Sequence, residues 1–129
     1  MRFLIALLAL VPPGPGRADP GHSPDTLSNP VMTFATCAGR YSAEVEHRWL
    51  MGRDADQASK QRRAMVDLVD AVRLPDQGPL ILALRIEAKM AQAALLQRAE
   101  FNPDPAIADR ALRLAQSSLR HCSRLLPGV

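Results

Sequence analysis

Apolar positions recur at intervals of three and four residues over four stretches of the chain, the spacing that places them on one face of a helix. In the first stretch Val31, Phe34, Ala38, Tyr41, Val45 and Trp49 share a face at about 100° per residue. This predicts a helix over 30–51 with Tyr41 and Trp49 in the core. Asn29 suits the cap, Pro30 suits the first helical position because its missing N–H has no intrahelical partner, and Gly52 ends the run.

Asp54 followed three residues later by Gln57 matches a capping box and predicts a second helix over 54–73, with Ala58, Met65, Leu68, Val69 and Val72 on its apolar side. The turn Leu74-Pro75-Asp76-Gln77-Gly78 leads to Pro79 and a third helix over 79–100. Asn102-Pro103-Asp104-Pro105 repeats the same punctuation before a fourth helix over 105–125. Ala108, Ala111, Leu112, Ala115, Leu119, Cys122 and Leu126 line its apolar face.

Four helices of about twenty residues with short connections favour antiparallel neighbours. The expected fold is all-α: an antiparallel up-down-up-down four-helix bundle. Frequent Ala at the stripe positions suits close helix approach.

The third helix departs from simple amphipathic patterning. Leu80, Ala83, Leu84, Ala91, Ala94 and Leu95 make one stripe, and Leu82, Ile86, Met90 and Ala93 widen it beyond what one core requires. Such a helix is either deeply buried or presents a second face to a partner, here a protein or a second copy of the chain. Glu87 and Arg98 interrupt the wide arc, and Glu87 is either the first candidate for a buried ion pair or a boundary residue.

The segment before the first helix changes the compartment. Arg2 precedes a nine-residue apolar run from Phe3 to Val11, shorter than the roughly 20 residues of a membrane span. Pro12, Pro13 and Pro15 break any helix after the run, and Gly16-Arg17-Ala18 supplies small residues at the positions a signal peptidase reads. Residues 1–18 are therefore expected to be a secretory signal peptide, and the Pro-, Gly- and Ser-rich 19–29 a mobile leader. Residues 30–129 form the bundle domain. The expected location is periplasmic or secreted, with no transmembrane anchor.

Export gives the two cysteines a meaning. Cys37 falls near the start of the first helix and Cys122 near the end of the fourth, at one level if those helices are antiparallel. In an oxidising compartment that pairing predicts a disulfide joining the first and last helices.

The apolar fraction of 47% suits one packed domain. The full chain carries 16 basic and 13 acidic residues, but without Arg2 and Arg17 the excess falls to about +1. Aromatic residues are only 4%, so the basic and aromatic interleaving of single-strand binders is missing and nucleic acid is not an expected partner. Charge is instead concentrated locally. Arg110, Arg113, Arg120 and Arg124 fall within an arc of about 80° on the fourth helix, opposite its apolar stripe. This ridge is either a solvated face, with Asp109 supporting Arg113 at i, i+4, or a contact for an anionic envelope component.

Motifs for catalysis or cofactors are sparse. Met32 and His121 resemble in placement the methionine and histidine ligands of b-type four-helix cytochromes. However, His121 is rotated about 120° from the apolar stripe and stands about 9 Å along the axis from Met32. No C-x-x-C-H is present for covalent attachment. Glu44-x-x-His47 matches the i, i+3 ligand pair of di-iron bundles, but the second copy that such a site needs is missing, which leaves His47 as a surface or boundary residue. His22 lies in the leader. No G-x-S-x-G elbow appears. The expectation is a non-enzymatic binding protein without cofactor or metal, with a metal- or haem-binding bundle as the alternative.

Overall fold

The computed structural model describes residues 29–128. Four helices follow one another: α1 Pro30–Leu50, α2 Asp56–Val72, α3 Gly78–Phe101 and α4 Pro105–Ser123. The expected signal peptide and most of the expected leader fall outside the described residues.

Local chemistry sets the boundaries. The Asn29 side chain accepts a hydrogen bond from the Val31 N–H at 3.2 Å, with Pro30 directly behind it. At the other end of α1, Gly52 takes φ +65°, and the Gly52 and Arg53 N–H groups donate to the Trp49 and Arg48 carbonyls. This paired closure satisfies two carbonyls and turns the chain sharply, which a side chain at position 52 would resist. Asp104 caps α4 by accepting from the Ala106 and Ile107 N–H groups. The expected capping box on α2 does not form. Ala55 occupies the cap position, so Asp54 sits one residue too early and accepts from the Asp56 N–H instead.

The fold is a four-helix bundle in which the helices alternate in direction. Val31 and Ala35 at the start of α1 pack on Val69 at the end of α2 and on Ile81 at the start of α3. Ala43, farther along α1, meets Leu96 near the end of α3 and Ala115 of α4. Thus α1 and α3 run in the same direction, and α2 and α4 run against them. Although α1 and α3 are parallel, they are the most extensively packed pair. Gly39 explains the approach: a Cβ there would collide with the Arg85 carbonyl oxygen, so the absent side chain admits the backbone of α3. Ala35 and Ala43, one helical turn to either side, keep the same seam narrow.

Cys37 and Cys122 form a disulfide with their Cα atoms 5.5 Å apart, joining the first and last helices. Around it lies the largest buried cluster, with Ala38, Tyr41, Met65 and Leu126. The Tyr41 hydroxyl donates to the Leu119 carbonyl at 3.4 Å. Burial, reinforced by the nearby Glu44 carboxylate, raises the phenol above its ordinary pKa.

Three sequence expectations need correction. Trp49 is 60% exposed rather than in the core. Ala55 and Ala58 cover Val45, and one turn beyond Val45 the first helix has passed the start of α2. Leu112 and Val72, expected on apolar faces, are also exposed. On α3 the buried line is Ile81, Gln92 and Leu96, whereas Leu80, Ala83, Ala91 and Ala94 of the expected stripe are exposed. Gln92 is tolerated there because its amide donates to the Ala115 carbonyl at 3.2 Å across the α3–α4 contact.

Candidate functional site

The last turns of α1 carry Glu44, His47 and Arg48 on neighbouring faces. The glycine turn that follows sends Arg53 back towards the end of α3. There Arg53 grips Glu100 with both guanidinium nitrogens, at 2.9 and 3.2 Å. His47 Nε2 lies 3.5 Å from Glu100 Oε2, the oxygen that also accepts from Arg53 Nη1. One turn back on α1, Arg48 Nε donates to Glu44 at 2.6 Å and Arg48 Nη1 donates to the Asp54 carbonyl.

Together with Leu96, Leu112, Leu119, Gln116 and Arg120 these groups border a cleft of about 350 Å³ between α1, α3 and α4. The Arg53 hydrogen bonds hold Glu100 below the ordinary glutamate pKa, more than its partial desolvation raises it. Glu44 is buried to all but 9% yet stays matched by Arg48, so both acids of the cleft are engaged by guanidinium groups.

Sequence spacing drew attention to Glu44 and His47 as metal ligands. The structure places both on this cleft but directs each to a different partner, Glu44 to Arg48 and His47 to Glu100. Among the described residues no group of three His, Cys, Asp or Glu side chains is arranged to hold a metal ion. The partners themselves were missed, because Glu100 and Arg53 reach His47 only through the fold. Glu87, the first candidate for a buried ion pair with a boundary position as the alternative, is exposed, and the buried acid is Glu44.

The other candidate surfaces fall elsewhere. Leu82, Ile86 and Met90 line the outer side of α3 at 58%, 54% and 65% exposure, while Ala93 is half-buried against the core. Lys89, beside this stripe, bridges to Glu46 of α1 at 2.7 Å. Arg110, Arg113, Arg120 and Arg124 are all exposed on α4 and its cap, and among the described residues none forms an ion pair. Asp109 therefore does not anchor Arg113. Ile107 and Leu114 remain partly exposed on the same helix.

Met32 and His121 border one shallow cleft beside the disulfide, with Thr33, Thr36, Cys37 and Arg40 between them. Arg40 Nη1 approaches Cys122 Sγ at 3.7 Å. No helix among the described residues is long and apolar enough to cross a membrane. Comparison with protein families, curated proteins and solved structures finds no match to this chain.

Proposed function

We propose that this chain is an exported, non-enzymatic binding protein of the periplasm or extracellular space. Two copies join through the α3 face, and each presents its α4 arginine ridge to an anionic envelope component. The supporting observation is the stripe of Leu82, Ile86 and Met90, all more than half exposed on a helix whose separate line of Ile81, Gln92 and Leu96 already fills the core. Three large apolar side chains in line are costly to hydrate, and a symmetric pairing is the commonest way for a small chain to cover them. Met90 suits an interface because its unbranched side chain adapts to irregular packing.

The ridge follows a second logic. Four guanidinium groups on α4 and its cap that form no ion pair among the described residues repel one another and attract an extended anion. Pairing through α3 doubles the ridges in one particle, so weak contacts add through proximity. The short apolar run before Pro12, the small residues up to Ala18 and the disulfide support an oxidising compartment.

Sedimentation of the wild type and of Ile86→Lys tests the reading. The wild type is expected to dimerise with rising concentration, and the variant to remain a folded monomer with an unchanged melting temperature. A wild type that stays monomeric at millimolar concentration overturns pairing through α3.

A further inference from the structure

We infer that the cleft between the C-terminal halves of α1 and α3 and the middle of α4 binds a small carboxylic acid with an apolar body. Neither α3 pairing nor the full ridge is needed for it, since Leu82, Ile86 and Met90 do not border the cleft and Arg120 is its single ridge residue.

The charge of the cleft selects the sign of the ligand. Three guanidinium groups, Arg48, Arg53 and Arg120, face two carboxylates, Glu44 and Glu100. Arg48 is engaged by Glu44, and Arg53 by Glu100 in a two-pronged contact that His47 also borders. Arg120 is left over. Its side chain makes no hydrogen bond or ion pair among the described residues, and neither does that of Gln116 one turn before it. A cation entering the cleft would have to displace a guanidinium from an acid, whereas an anion meets an unmatched donor fork suited to a carboxylate.

The walls select the rest of the ligand. Leu96, Ala115 and Leu119 form an apolar side, and Leu112 stands exposed at its margin although it belongs to a helix with a well-defined buried face. A volume of about 350 Å³ is at the lower end for small-molecule sites. At a water-sized ~30 Å³ per heavy atom it takes roughly ten such atoms. A carboxylate on Arg120 and Gln116 with a straight or aromatic body against Leu112 and Leu119 fills that space and shields apolar surface that water now covers.

Octanoate, with its carboxylate and short acyl chain, is the probe. Titration of the full chain followed by calorimetry and by the methyl resonances of Leu112 and Leu119 is expected to show one saturable site. Arg120→Gln removes a cation that is exposed and makes no side-chain hydrogen bond or ion pair among the described residues, and is expected to weaken octanoate binding about tenfold or more. Arg113→Gln and Arg124→Gln, on the same helix but off the cleft, leave affinity within about twofold, as expected for charges screened by solvent. Octanamide, which keeps the body and loses the charge, is expected to bind the wild type as weakly as octanoate binds Arg120→Gln. Absence of saturable binding at millimolar octanoate overturns the inference. So does octanoate affinity that is unchanged in Arg120→Gln, or abolished instead by Ile86→Lys on the α3 face.

Discussion

Gly39 of α1 lies directly against the Arg85 carbonyl of α3, and this contact sets how near the two parallel helices come. Any side chain at position 39 has to push backbone, which yields less readily than a side-chain tip. Gly39→Ala is therefore expected to lower stability by about 1–3 kcal/mol despite the better helix propensity of alanine. Gly78, where an added Cβ meets nothing within 4 Å, is the control. Gly78→Ala should leave the denaturation midpoint nearly unchanged.

The Cys37–Cys122 bond constrains the unfolded chain over a sequence separation of 85 residues. Reduction should cost on the order of 4 kcal/mol, read as a shift of the denaturation midpoint with and without reductant. With both sulfurs in the bond there is no thiolate to react, so alkylation without reductant, native or denatured, should label neither cysteine, as intact mass will show. Labelling of both without reductant contradicts the bond.

Tyr41 and Trp49 share one helix but differ in surroundings. Tyr41→Ala is expected to cost roughly 3–5 kcal/mol because it empties the buried cluster beside the disulfide. Trp49→Ala should cost less than about 1 kcal/mol, as befits a surface position. The single tryptophan should emit at long wavelength and be quenched freely by iodide. A blue-shifted, protected emission would contradict its exposure.

Glu100 gives the protein an acid-sensitive contact. Its folded pKa is held below the ordinary value of 4.5, chiefly by hydrogen bonds from Arg53. A carboxylate lowered in this way stabilises the fold fully above its unfolded value, and that contribution disappears as the pH falls through the lower folded value. Melting temperature should thus decline on acidification from about pH 4.5 downward. Glu100→Gln should flatten that limb while changing little of its slope at neutral pH. An identical acid limb in the variant would show that other groups carry it.

The helices and their direction were legible in the sequence because their signals are local: Asn29-Pro30, Gly52 and Asp104-Pro105 act within one turn. The two cysteines added the one long-range link that spacing can supply. The rotation of α3 was not legible, because its apolar residues run most of the way around and the choice of face belongs to its neighbours. Gly39 accepts the backbone at Arg85, and Ala115 offers a carbonyl to Gln92; neither fact is visible in the periodicity of α3 itself. Trp49 misled for a related reason, since a stripe predicts burial only as far as a partner extends. At the cleft, the i, i+3 spacing found Glu44 and His47, but their partners determine what they do. Arg48 lies within helical reach of Glu44, whereas Glu100 comes from another helix.

The disulfide encloses all three interhelical loops, since 51–55, 73–77 and 102–104 lie between Cys37 and Cys122. Residues 37–122 are thus closed into one covalent ring. A protease that cuts any one of these loops opens the ring without separating the pieces: the molecule gains only the mass of one water and falls into fragments only when the sulfur bond is reduced. A nicked molecule therefore keeps its helices at the high mutual concentration that lets them close again.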